Sequence, residues 1–196
     1  MREAGLLRVC CPQATKYAES RPGRRVIDRN QLREAQQPLK ERYRSDPAAA
    51  LVTLRATGAL GAGITCSVGT GRALVEAGLH PSTGGDGLGV CSGDMLLEAL
   101  VACAGVTLLA VATSLELDIA AGLVRAEGDL DFRGTLAISK ESPVGFRAIR
   151  LSFELETDAS EEELSTLLRL TERYCVVYQS LATGPALSTS WTATAT

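Results

Sequence analysis

The chain has 196 residues, of which 45% are hydrophobic and 22% charged, enough for one sizeable domain with a buried core and too apolar for a disordered chain. Residues 1–47 hold 11 Lys/Arg against 6 Asp/Glu, whereas the rest holds 9 against 17, so a net −3 divides into a basic start and an acidic body. An acidic body with 4% aromatic residues excludes a counterion-displacing nucleic-acid groove or a base-stacking surface, and one histidine, His80, excludes a multi-histidine metal site.

Residues 1–28 lack periodicity, carry Pro12, Pro22, Gly23 and an Arg24–Arg25 pair, and read as a mobile tail. The run RNQLREAQQPLKERYR has helix-forming composition, and 29–47 is expected to be a helical extension with Pro38 as a kink or boundary. Residues 48–196 form the main domain. It opens with three short strands, LVTLRAT at 51–57, ITCSVG at 64–69 and RALVEA at 72–77. A glycine-rich loop follows at 78–93. Its glycine spacing fits neither a P-loop nor GxGxxG, so a flexible loop is expected, with His80 exposed.

Residues 94–117, DMLLEALVACAGVTLLAVATSLEL, are the most apolar segment, with Glu98 as the sole interior charge. The length suffices to span a membrane. Small residues supply much of the segment and no basic cluster flanks it, so a core helix is expected, with no membrane partner. LVRAEGDLDF and IRLSFELE alternate apolar and charged residues, predicting two strands with one wet face each. Ser160 and Glu163 form a capping box that opens a helix through Leu164, Leu167 and Leu168, and ALSTSWTAT is expected to close the chain as a strand. The order predicts an α+β domain.

Six cysteines lie at 10, 11, 66, 91, 103 and 175, with no CxxC. This is too sparse for a disulfide scaffold, and the N-terminus lacks a signal-peptide apolar region, so a cytoplasmic, reducing setting is expected. No ligand cluster points to a metal, and no cofactor is expected. Cys103 sits among Ala102, Ala104 and Gly105 in the apolar helix, and Cys175 ends the next helix. Each taken alone reads as a buried, inert thiol. Cys66 reads as core. Cys91 is a second choice as the thiol that resolves an oxidised Cys103, and a Cys91–His80 nucleophile is a minor alternative.

Taken together, SGDMLLEALVACAG followed after two strands by ERYCVVYQSL resembles the OsmC/Ohr family of thiol peroxidases over residues 51–196. The resemblance implies an intertwined homodimer with long central helices and antiparallel-type sheets outside them. It also implies a Cys103 that attacks organic hydroperoxides to become a sulfenic acid, a Cys175 that resolves it as a disulfide, and an external dithiol reductant. Asp94 stands at the position of the family's glutamate, and Val176 at the position of its usual proline. Where the family carries its activating arginine, this chain has Leu60, leaving Arg55 and Arg72 as substitutes; Arg173 stands near Cys175. An unperturbed thiol is only a few per cent ionised at neutral pH, so Cys103 needs an activating group. The alternative is a non-enzymatic dimer of the same fold that binds a small hydrophobic ligand at its interface.

Overall fold

A computed structural model describes residues 28–46, 58–60, 65–69 and 74–193. The expected mobile tail, the 51–57 strand, Arg55 and Arg72 lie outside the described residues. The first element, α1 (Arg29–Ser45), starts at a capping box in which Asp28 accepts from the Gln31 amide at 2.8 Å and the Gln31 side chain accepts from the Asp28 amide at 3.2 Å. The helix continues past Pro38, so that proline is not the boundary its ring suggests. Its N-terminal end lies by the C-terminal end of the central helix through an Arg29–Glu116 ion pair at 2.9 Å.

Four short strands form one sheet in the order β1 (Gly58–Leu60), β2 (Thr65–Gly69), β3 (Leu74–Gly78) and β4 (Val90–Cys91). β1–β2 and β2–β3 are antiparallel, and β4 adds to β3 in parallel. β1 falls where the sequence suggested only a connection, because Gly58, Ala59 and Leu60 find ladder partners in Val68, Ser67 and Cys66. The loop after β3 is more ordered than its glycines imply. Pro81–Thr83 form a 3₁₀ turn capped by His80, whose Nδ1 accepts from the Ser82 amide at 3.0 Å. His80 is half-buried, stacked on Phe132 with ring centroids 4.9 Å apart, which corrects the expectation of an exposed side chain.

The central helix, α2 (Ser92–Leu115), begins two residues before the predicted start and has Cys91 as its N-cap, so Asp94 is a first-turn acid and not the cap. It ends at Glu116, whose left-handed φ of 59° turns the chain while its amide reaches back to Ala112 and Thr113. Its burial is one-sided. Leu100, Ala104, Leu108 and Ala112, four residues apart, form the buried stripe. On the other side Ala99, Ala102, Val106 and Leu109 are exposed, Val106 at 67%. By length and composition alone α2 would cross a membrane, but its buried stripe here faces strands and a helix of this chain.

The two alternating segments pair as β5 (Ala121–Asp129) and β6 (Ala148–Glu156), antiparallel with Val124 opposite Phe153 and Ala126 opposite Leu151. Ile149, Leu151, Phe153 and Leu155 turn toward α2, while Arg125–Glu154 and Arg150–Asp129 ion pairs line the outer face. Gly105 on α2 faces Val124 of β5: a Cβ there would stand 3.6 Å from Val124 Cγ2, an ordinary contact. Between the strands, Phe132 belongs to a short helix, α3 (Phe132–Thr135), and not to β5 as its alternation suggested. The ring of Phe146 lies so close over Gly128 that a Cβ would come within 2.4 Å of it.

α4 (Glu161–Tyr174) opens at the predicted capping box. Ser160 Oγ accepts from the Glu163 amide at 3.3 Å, and Glu163 Oε2 accepts from the Ser160 amide at 2.8 Å. A further helix, α5 (Val176–Thr183), follows directly. The closing segment forms no strand through residue 193. Leu187 and Trp191 are 91% and 86% exposed, and alternation alone yields a strand only where an edge is offered to pair with.

Candidate functional site

Two adjoining clusters make the core along α2. Leu108, Ala112 and Leu167 form one. Leu100, Ala104 and Cys175 form the other, with Cys103, Val124, Ala126, Leu151, Phe153, Val177 and Tyr178 packed around it. The second cluster brings together the two cysteines that stand 72 residues apart in sequence. Cys103 is half-buried on α2, and Cys175 is 1% exposed at the corner where α4 ends and α5 begins.

Backbone bonds hold that corner on both sides. The Cys175 amide donates to Thr171 O at 2.9 Å, and the Cys175 carbonyl accepts from the Gln179 amide at 2.9 Å. One residue is thus the C-cap of α4 and the N-cap of α5, in an extended conformation, with no side-chain capping bond. The first amides of α5 have no intrahelical acceptor and carry the positive end of its dipole.

The environments push the two thiols apart. Burial works against a charged Cys103, but the Val177 amide, the Cys175 thiol, the Val176 amide and the Thr107 hydroxyl outweigh it and bring its pKa below the ordinary thiol value. Burial raises Cys175, the Tyr178 amide only partly offsets this, and the neighbouring Cys103 raises it further. Of the two thiols, Cys103 is therefore the easier to ionise and Cys175 the harder. Such a split in one pair of groups is how a nucleophile and its partner are told apart.

Among the described residues the activating groups are chiefly backbone amides, which the sequence reading did not foresee, and none of the described guanidiniums acts on Cys103. The only signal for them is position: a cysteine immediately before a helix whose free amides it presents. Arg173, two residues before Cys175, lies over the Tyr174 ring at 5.6 Å and is not among the causes of the Cys175 shift, which is upward. Asp94 is exposed, nine residues and about 13 Å along the helix from Cys103. Glu98 is exposed as well. Cys91 lies about 18 Å along the same helix from Cys103, too far to resolve it within one chain. Cys66 pairs with Ala77 in the ladder of the first sheet.

A cavity of about 550 Å³ lies between the start of α1 and the end of α2. Another of about 600 Å³ opens between β6, α5 and the start of α2, walled by Leu100, Ile149, Phe153 and Tyr178, with Arg147 and Glu172 at its margin. It touches the back of the cysteine cluster through Leu100 and Tyr178.

Three comparisons bear on identity. A search of curated proteins finds no match. Among solved structures, an OsmC-like protein from Mycoplasma pneumoniae superimposes with a TM-score of 0.59 at 18% identity, covering 68% of this chain and 89% of the other. An organic hydroperoxide resistance protein from Elizabethkingia anophelis gives a TM-score of 0.56 at 16% identity, and one from Legionella pneumophila gives 0.54 at 16%; each pairing covers 68% of this chain and 91% of the other. At such identities the likeness is one of fold. The family model for OsmC-like protein matches residues 84–190, a span that starts in the loop before α2 and includes the cysteine pair. With more than half of its length matched, the chain belongs to the OsmC-like protein family.

Proposed function

We propose that the protein is a two-cysteine thiol peroxidase that reduces organic hydroperoxides. The observation that carries this reading is the contact of Cys103 with Cys175 together with the opposite displacement of their pKa values. The Cys103 thiolate attacks the terminal oxygen of the hydroperoxide, the O–O bond breaks, and the departing alkoxide takes a proton to leave as alcohol. Cys103 is left as a sulfenic acid. The Cys175 sulfur then attacks it, the Cys175 proton and the sulfenic hydroxyl leave together as water, and a Cys103–Cys175 disulfide forms. An external dithiol reduces that disulfide and restores both thiols. The organic hydroperoxide resistance proteins of the same fold support the assignment of substrate class.

The working unit in this reading is a homodimer in a cytoplasmic setting, and 29–47 is an extension to a catalytic domain of 48–196. Ala99, Ala102, Val106 and Leu109, spaced alternately by three and four residues on the exposed side of α2, suit a helix-to-helix seam with a second copy. Asp94, with Arg55 or Arg72, is assigned as the pair that orients the hydroperoxide, Asp94 reaching the Cys103 of the partner subunit across that seam. A second reading, a dimer that binds a small hydrophobic ligand without chemistry, is favoured by the 600 Å³ apolar cavity beside the cysteine cluster.

Intact mass and a free-thiol count before and after one equivalent of cumene hydroperoxide separate the two. A loss of two hydrogens with a Cys103–Cys175 cross-link on peptide mapping is expected within seconds. An unoxidised Cys103 on that timescale would transfer the assignment to the ligand-binding reading.

A further inference from the structure

A helix leaves the carbonyls of its last turn without intrahelical partners, and α4 ends abruptly: Cys175, at ψ 110°, turns the chain out of it and straight into α5. The carbonyl of Glu172, in that last turn, takes its hydrogen bond from the side chain of Gln179, seven residues on, whose Nε2 donates to it at 2.9 Å. The same residue donates its backbone amide to the Cys175 carbonyl at 2.9 Å, the bond that opens α5. Gln179 is half-buried, and it grips both the end of the helix before Cys175 and the start of the helix after it. The backbone bonds of Cys175 to Thr171 and to Gln179 each lie on one side of the corner. Among the described residues the Gln179 side chain makes the one hydrogen bond that crosses from α5 to α4.

We infer that Gln179 is a positioning residue for the cysteine pair, its side-chain amide fixing the angle between α4 and α5 so that Cys175 is held ready to bond to Cys103. Cys103 is carried by α2 and Cys175 by the corner, so their meeting depends on how the corner sits against α2, which α5 meets through Val177 and Tyr178. A disulfide accepts only a narrow range of separations and dihedral angles. A corner free to open must lose that freedom each time the bond forms, whereas a corner already set loses none, and the difference is read as the effective concentration of one thiol at the other. Without the Gln179 side chain, the backbone dihedrals of Cys175 and apolar packing alone hold the angle. The Cys175 side chain caps neither helix and cannot take its place.

The inference rests on Cys103 and Cys175 being the pair that forms the disulfide, and its test needs no hydroperoxide. In buffers of oxidised and reduced glutathione the two cysteines pass two electrons and two protons to the glutathione disulfide, which becomes two thiols, and the Cys103–Cys175 bond forms. Rapid unfolding in excess iodoacetamide, with labelling of each cysteine counted on its peptide by mass spectrometry, reads the equilibrium constant. Gln179→Met keeps the length and suits a helix but removes the donor, and should lower that constant about fivefold, in line with loss of one neutral hydrogen bond. Gln179→Ala gives a second donor-free chain. Gln179→Lys restores a donor and sets a cation at the C-terminal end of α4, and should recover most of the constant. Ser160→Ala weakens α4 at its other end and should leave the constant within about twofold, which separates positioning from a general loss of stability. A parent-like constant in Gln179→Met and Gln179→Ala would overturn the inference, as would an equal fall in Ser160→Ala or a parent pair that stays reduced in every buffer. A Gln179-dependent constant in a protein that cumene hydroperoxide does not oxidise would uphold the inference and refute the peroxidase reading.

Discussion

Leu167 gives the most direct test of how the fold supports the cysteine pair. Its side chain is 0% exposed, held by Leu108 and Ala112 of the central helix and by the inward residues of β6. Leu167→Ala removes three carbons from this site. At about 0.8 kcal/mol per buried methylene the transfer loss is ~2.4 kcal/mol. Unrelaxed space left behind adds roughly 1–2 kcal/mol more, placing the total at about 3.5–4.5 kcal/mol. The assay is urea unfolding at fixed protein concentration, with the slope compared so that a shifted midpoint reports stability and not a change in surface exposed. Leu167 belongs to the other cluster from Cys175, so the labelling profile of Cys103 in native buffer should stay as in the parent chain. A loss below about 1 kcal/mol would mean that the site collapses around the deletion or is not the closed core described, and would refute the packing argument.

Labelling of Cys103 in the parent protein should rise at lower pH than that of an ordinary thiol, because the amides of α5 favour its charged form; Cys175 should label only at higher pH. A reversed order in a pH-resolved peptide assay would invert the two roles. Val106→Glu puts a charge at the centre of the exposed apolar stripe of α2, and light scattering should then show the proposed dimer reduced to monomer. An unchanged mass in that variant would rule out the α2 seam. Ser160→Ala removes one half of the capping box of α4 and should cost about 1 kcal/mol in the same urea assay.

What could be read from the sequence divides along physical lines. α2, β5, β6 and the start of α4 announce themselves because their stability is local or periodic: an apolar run, two alternations and a reciprocal cap are all written in neighbouring residues. β1 is three residues of Gly, Ala and Leu, which become a strand only because β2 lies beside them. α5 was missed because Val176 and Val177 favour a strand, whereas here they continue a corner fixed by α4. The same cause hid the activation of Cys103. A side-chain cation leaves a letter in the sequence; an amide is carried by nearly every residue, and only the meeting of two helices selects which amides count. The pairing of Cys103 with Cys175 was legible through family resemblance and through no spacing rule.

The position of Cys175, pinned by backbone bonds to the helix before it and the helix after it, has a thermodynamic consequence when the two sulfurs join. The bond would close a loop of 72 residues spanning β5, β6 and α4, the greater part of the helix-and-sheet layer. The two cysteines already share one packed cluster, and the bond would take about 4 kcal/mol of loop-closure entropy from the unfolded chain. Oxidation would therefore act as a reversible staple. The oxidised molecule would outlast the reduced one against heat and denaturant, and the melting temperature would serve as a gauge of the redox state of the protein.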